Sequence, residues 1–345
     1  KENFLLKHVL GFFSAFYRLA YKLRLKLYTM GFLNKVSLPV KVISIGNITT
    51  GGTGKTPTTI ELARHLINKG FKVAILSRGY KKQNINENIL VSDGIDILAD
   101  YEVSGDEPYL IAKSLRKAIV LSGANRIKSA YSAIKLGAQV ILLDDGYQHL
   151  KINRNENILL LDSSKPFDNG YLLPRGELRE DLECIKRATT VIFTNSKDFQ
   201  ANESHINIVK SINPNAPILF MNYKIKNIRG INIKKNITVD EGKKNKYISF
   251  SGIGNPENFT NSLKESGLEV IQSVGFPDHH DYEYADIKKV IDIAIKNNVQ
   301  DIITTEKDAI KLEELCMSAP VTFWYTEIDV RWKDSNSLEV LTRTC

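Results

Sequence analysis

Two apolar runs, VKVISIGN (40–47) and FKVAILSRG (71–79), enclose the glycine-rich stretch TTGGTGKTP (49–57) and a single amphipathic helix. That order restricts the fold more than any other feature of the chain. VKVISIGN is short, β-branched and apolar on both faces, the pattern of a strand buried inside a parallel sheet. Ile60, Leu62, Ala63, Leu66 and Ile67 then recur at helical spacing until Gly70 closes the helix, while Pro57 falls in the first turn, where a missing N–H costs nothing. Strand, loop, helix and strand in immediate succession form a parallel βαβ unit with its loop at the helix N-terminus.

A helix N-terminus preceded by glycines is built to hold phosphate. The run Gly54-Lys55-Thr56 matches the end of a phosphate-binding loop, G-x-x-x-x-G-K-[ST], although Thr49 stands where that pattern has glycine. Thr49 is compatible with the loop if its φ stays negative. The backbone of Thr49, Thr50, Gly51, Gly52, Thr53 and Gly54 would then surround the phosphates of ATP. Lys55 would reach the β- and γ-phosphates, and the Thr56 hydroxyl would hold Mg²⁺. The matching acids lie in GAQVILLDDGYQHL, where a strand over 139–143 ends in Asp144-Asp145. Carboxylates at a strand's C-terminal end beside such a loop serve the metal. The same residues could simply form an Asp-Gly turn.

Charge and composition narrow the partners. The chain has 345 residues, enough for two cored lobes, and its net charge of +8 favours an anionic partner. Cys184, Cys316 and Cys345 are odd in number and lack C-x-x-C spacing, which suits a reducing cytoplasm rather than a disulfide framework or a zinc site. The first residue is Lys1 rather than Met, as a trimmed start would give. Residues 3–33 mix large apolar side chains with Lys7, Arg18, Lys22, Arg24 and Lys26. No run there is long and apolar enough to span a bilayer, and recurring cations rule out a cleaved signal. Phe12, Phe13, Phe16, Leu19, Ala20 and Leu23 form one helical stripe. It suits either packing on its own domain or lying in a membrane interface with cations toward anionic headgroups.

Further along, VSGDEPYLIAKSL places Asp106, Glu107 and Pro108 in the first turn of a helix, where acids are routine. The strand AIVLSG precedes a helix that opens near Arg126, continuing the β-α-β rhythm of a doubly wound parallel sheet. A second α/β rhythm begins at KYISFSGIG and runs through PENFTNSLKESG, YADIKKVIDIAIKNN and DIITTEKD. FPDHHDY (276–282) gathers Asp278, His279, His280 and Asp281, yet no third spaced ligand supports zinc. A histidine there can instead orient a carboxylate base.

The ordered set GNITTGGTGKTP, SRGY, SGDEP, LLDDGYQH, LPRGELRE, SGIGNP, FPDHHDY and ITTEKDAIKL resembles the tetraacyldisaccharide 4′-kinase family over residues 10–330. In that family Thr49 is an ordinary variant of the loop's first position. LPRGELRE departs from the more usual LPAGPLRE at Arg175 and Glu177, while Arg179 and Glu180 are retained. The resemblance implies ATP-dependent phosphorylation of the 4′-hydroxyl of a tetraacylated glucosamine disaccharide 1-phosphate, at the cytoplasmic face of a Gram-negative inner membrane. It implies a P-loop NTPase-like α/β core (37–215), linker strands (216–245), a smaller C-terminal α/β lobe (246–345) and a membrane-contacting N-terminal amphipathic helix (1–36). Asp106 resembles the base, paired with His279, and Lys55 serves the transferred phosphoryl group. Thr56, Asp144, Asp145 and Glu107 are the expected metal side. Arg78, Arg126 and Arg179, with Gln148 and His149, are the expected substrate contacts.

Two rival readings fall away on the residues. A partitioning-type ATPase has a signature lysine where Thr50 stands, and no nucleic-acid reader motif accompanies the positive charge. No obligate protein partner is evident either.

Overall fold

The computed structural model describes residues 4–79, 82 and 87–345, with side chains from residue 7; Tyr80 of the SRGY motif lies outside them. The strands are β1 (Lys41–Asn47), β2 (Val73–Ser77), β3 (Ile89–Asp93), β4 (Ile119–Ser122), β5 (Val140–Leu143), β6 (Glu156–Asp162) and β7 (Thr190–Thr194) in the first lobe. They continue as β8 (Ile218–Gly230), β9 (Asn236–Thr238), β10 (Lys246–Ser251), β11 (Glu269–Gly275), β12 (Asp301–Thr305) and β13 (Thr322–Trp332). One sheet runs through both lobes in the order β11-β10-β12-β13-β8-β7-β6-β1-β5-β2-β4-β3, with β9 pairing to β8. Within each lobe the pairing is mostly parallel, as buried apolar strands joined by helices require. The antiparallel pairs are β3 with β4, and β8 with β13 and β9.

The lobes are joined by β8 and β13, two long strands whose antiparallel register runs from Trp324↔Gly230 to Trp332↔Met221. The expected linker block 216–245 contains β8, but the second linking strand, β13, falls inside the expected C-terminal block 246–345. After β13 the chain returns to the first lobe: the helix Ser337–Leu341 sets Leu341 into the same core as Leu62, Leu66 and Ile192. Glu339 on that helix pairs with Lys69 and stands 3.5 Å from His65. Residues 337–341 therefore belong to the first lobe, because their apolar side chains complete its core and leave nothing for the second.

β1 lies between β5 and β6, both parallel to it. From β1 the chain winds first to one side of the sheet and later to the other, which opens a crevice at the C-terminal ends of β1 and β5. The glycine-rich loop and Asp144-Asp145 meet there.

Candidate active site

The phosphate loop is fixed from three sides. Thr49 forms an antiparallel bridge with Leu178 and does not take a positive φ, so the missing glycine leaves no strain. Thr50 N–H donates to Glu177 O at 2.8 Å, which ties the loop to LPRGELRE. Gly54 caps the helix Lys55–Asn68 with φ 77° and ψ 27°, a left-handed conformation that favours glycine. Its carbonyl accepts from Thr58 Oγ1 at 2.8 Å and from Tyr223 Oη at 3.2 Å. A Cβ at Gly54 would lie 1.5 Å from Tyr223 Oη. Among the described residues, no carbonyl accepts from the N–H groups of Gly51 to Thr56, and the buried Thr53 hydroxyl has no partner. These unfilled donors at a helix N-terminus are what a phosphate chain satisfies.

The acidic turn after β5 separates its two carboxylates. Asp144 is buried and accepts from Thr59 Oγ1 at 3.0 Å. Burial, followed by the charges of Glu107 and Asp145, pushes its carboxyl up to about 7. Asp145, at φ 46°, points to cations instead: Arg179 Nη1 lies 3.1 and 3.0 Å from its two oxygens and Lys55 Nζ 3.9 Å from Oδ1. Burial opposes its ionisation, but Lys55 and Arg179 outweigh it and hold the carboxyl below the usual range. Side by side in sequence, the two acids have opposite electrostatics.

The expected substrate contacts occupy different stations around this turn. Arg126 is buried and donates to the carbonyl oxygens of Asp145 at 3.0 Å and Asp144 at 2.5 Å, so its guanidinium shapes the acidic turn. Gln148 donates to Asn47 O at 2.8 Å and accepts from Arg179 at 3.4 Å. Among the described residues the buried Nε2 of His149 has no partner, and burial, then the neighbouring Arg126 and Arg154, lowers its pKa to about 3. Arg78 is exposed on the cleft wall.

The second lobe closes the cleft. The GIGNP turn reaches the phosphate loop: a Cβ at Gly254 would stand 3.4 Å from Gly52 N. Opposite it, Asp106 begins the helix Asp106–Ser114, buried, with Oδ2 3.1 Å from His279 Nδ1. His279 takes a positive φ of 56°, and its loop is held by Phe276 stacked on His280 and by His280 Nε2 2.9 Å from Asp286. Lys307 Nζ lies 3.1 Å from His279 Nε2. An ammonium can only donate, which assigns the lone pair to Nε2 and the proton to Nδ1, facing Asp106. Lys311 Nζ is 2.7 Å from Asp106 Oδ2. Burial works to raise the Asp106 pKa, but the bonds from His279 and Lys311 outweigh it and hold the carboxyl below its ordinary value. Sequence reasoning assigned no role to either lysine, although their i, i+4 spacing in ITTEKDAIKL puts both on one side of a helical turn.

Of the two settings open to the phenylalanine stripe of the helix Phe4–Thr29, packing on its own domain is not the one adopted. Phe12, Phe13, Phe16, Leu19 and Leu23 are exposed, while Ser14 and Tyr28 are buried and Leu10, Tyr21, Leu25 and Leu27 half-buried against the protein. Ser14 donates to Leu172 O at 2.8 Å, Tyr17 to Arg179 O at 2.9 Å and Tyr21 to Glu180 Oε2 at 2.8 Å. Arg187 pairs with the same buried Glu180 at 2.5 Å. Arg175, one of the two departures in LPRGELRE, stacks 3.6 Å from the ring centroid of Tyr171. Among the described residues, no helix is long and apolar enough to cross a membrane.

Comparison with known proteins agrees with this arrangement. A family model described as tetraacyldisaccharide-1-P 4′-kinase matches residues 6–345. The tetraacyldisaccharide 4′-kinase of Syntrophus aciditrophicus is 38% identical over 347 residues, covering 96% of this chain and 91% of its own length. That of Desulfatibacillum aliphaticivorans is 40% identical over 308 residues, covering 88% and 83%. The crystal structure of the "apo" form LpxK from Aquifex aeolicus in complex with ATP superposes with a TM-score of 0.78 at 32% identity, covering 98% of this chain and 99% of that one. Phosphate loop, acidic turn and family match cover one and the same chain, which belongs to the tetraacyldisaccharide-1-phosphate 4′-kinase family.

Proposed function

We propose that Asp106 takes the proton from the 4′-hydroxyl of a tetraacylated glucosamine disaccharide 1-phosphate as that oxygen accepts the γ-phosphoryl group of ATP. The overall reaction, ATP-dependent 4′-phosphorylation in lipid A biosynthesis, accompanies family membership. The observation that carries the assignment of the base is the 3.1 Å contact between Asp106 of the first lobe and His279 of the second. His279 donates Nδ1–H to Oδ2 and orients the carboxylate in the cleft that also holds the phosphate loop. The new O–P bond forms as the bond from the γ-phosphorus to the bridging oxygen of ADP breaks, and the hydroxyl proton ends on Asp106.

The remaining residues position and neutralise. The N–H groups of Gly51 to Thr56 hold the phosphates and Lys55 meets the transferred group. Arg179 holds Asp145 beside Lys55, and Arg126 holds the acidic turn. Arg78 and His149 face the cleft, where the sugar and its phosphate would bind. Thr56 and Asp144, with Glu107 nearby, suit Mg²⁺: a buried carboxylate crowded by two others is relieved by a cation. Magnesium takes few protein oxygens and leaves the rest to phosphate and water. When bound it would neutralise charge on the phosphates.

The exposed Phe12, Phe13 and Phe16 face, flanked by Arg18 and Lys22, suits insertion among anionic headgroups at the cytoplasmic face of the inner membrane. An acylated substrate would be met there. Asp106→Ala should lower kcat by about 10²- to 10⁴-fold while ATP affinity stays at the wild-type value. Measured turnover with labelled ATP at the wild-type rate would sink the base assignment.

A further inference from the structure

Lys311 lies just beyond the short helix Glu306–Ala309, on the second lobe, and its side chain is only 6% exposed. Lysine is almost never buried unless paired, so its surroundings carry meaning. Its ammonium has three acceptors: Asp106 Oδ2 at 2.7 Å, His280 O at 3.1 Å and Asp281 Oδ1 at 3.5 Å. Three donors meet three acceptors, which makes this a built socket. The backbone supports it, because Lys311 N–H donates to Asp308 O at 3.0 Å, and Asp308 is itself held by Tyr282 at 3.0 Å and Thr305 at 2.6 Å.

Both contacts to the Asp106 carboxylate, from His279 and from Lys311, fall on Oδ2. Among the described residues Oδ1 accepts no hydrogen bond. A carboxylate held at one oxygen by two donors from the opposite lobe cannot rotate freely, and its other oxygen is left for a third partner.

We propose that Lys311 is a positioning residue for phosphoryl transfer: with His279 it fixes Oδ2 of Asp106, so that Oδ1 receives the proton of the acceptor hydroxyl. The proposal rests on the assignment of Asp106 as the base. Lys311 touches neither nucleotide nor acceptor in this role; it acts through Asp106 alone. It also makes the geometry of the base depend on the second lobe, since α-helix Asp106–Ser114 supplies the carboxylate and the other lobe supplies both of its donors.

The test is a double-mutant cycle on the full chain with ATP and tetraacylated disaccharide 1-phosphate. Lys311→Met should lower kcat by about 10- to 100-fold, the range for a misplaced catalytic group, with the KM for ATP unchanged. In an Asp106→Asn background the same change should cost nothing further, because the group it positions is already gone. Multiplying losses in the double variant, or wild-type kcat for Lys311→Met beside an impaired Asp106→Asn, would overturn the inference and leave the base assignment standing. Wild-type turnover by Asp106→Asn would instead overturn the base assignment, and this inference with it. Thermal unfolding controls for folding. If Lys311→Met melts below assay temperature, Lys311→Arg takes its place: it keeps the charge but not the geometry, so a reduced kcat supports the inference and a wild-type kcat refutes it.

Discussion

The two walls of the cleft are assembled differently. On the phosphate wall, Gly51 to Thr56, Asp144, Asp145, Arg126 and Arg179 all come from the first lobe, and their mutual contacts close within it. On the acceptor wall, Asp106 comes from the first lobe while His279, Lys307 and Lys311 come from the second. The nucleotide side is thus built from one lobe, whereas the proposed base is oriented where the two lobes meet. Binding of ATP and orientation of the proposed base are therefore separable, and substitutions should sort by wall.

The largest effect on the phosphate wall should follow Gly54→Ala. A left-handed φ costs a non-glycine residue about 1–3 kcal/mol, and the added Cβ would overlap Tyr223 Oη. ATP affinity, read by calorimetry, should weaken by at least about tenfold. Unchanged affinity would remove the rigid loop from this comparison. A smaller effect appears in stability against pH. His149, on the same wall, has a folded pKa lowered to about 3, first by burial. Its depressed value means that the stability it contributes is present above about 6.5 and is lost as pH falls toward 3. The slope is about 1.4 kcal/mol per pH unit at most. His149→Gln should flatten the melting temperature across that window relative to wild type, and equal acid sensitivity in both proteins would refute the assignment. The smallest change in turnover should come from Phe12→Ser/Phe13→Ser/Phe16→Ser, which alters neither wall. Flotation with anionic vesicles should drop while kcat on detergent-dispersed substrate holds. Undiminished flotation would count against the exposed stripe as the membrane face.

Much of the phosphate wall was legible because its signals are local. Apolar runs of β-branched residues gave β1, β2 and β5, and Gly54-Lys55-Thr56 and Asp144-Asp145 sit at strand ends where short-range patterning finds them. The acceptor wall was legible only through family resemblance at Asp106 and His279, since an acid in a first helical turn is ordinary by itself. Lys307 and Lys311 escaped notice because lysines on a basic chain read as solvated, and only the fold shows Lys311 buried against Asp106 and Lys307 half-buried beside His279. Pairing between β8 and β13 joins residues about a hundred positions apart and leaves no local periodicity. For the N-terminal helix the apolar stripe left packing and membrane contact both open, because its hydrogen bonds to the first lobe run through hydroxyls of Ser14, Tyr17 and Tyr21, which a hydrophobic stripe cannot reveal.

The return of the chain after β13 has a consequence for biosynthesis. Leu341 packs with Leu62 and Ile192, so the core around the phosphate loop lacks a wall until the second lobe has been made. At ribosomal rates the interval between residues 192 and 341 lasts roughly ten to thirty seconds. Through that time the nascent first lobe exposes the apolar surface that Leu338, Val340 and Leu341 later cover, and a holdase or early nucleotide binding would shelter an unfinished kinase. A frameshift that altered only the residues after Trp332 would spare every catalytic side chain and still leave the nucleotide lobe open to aggregation.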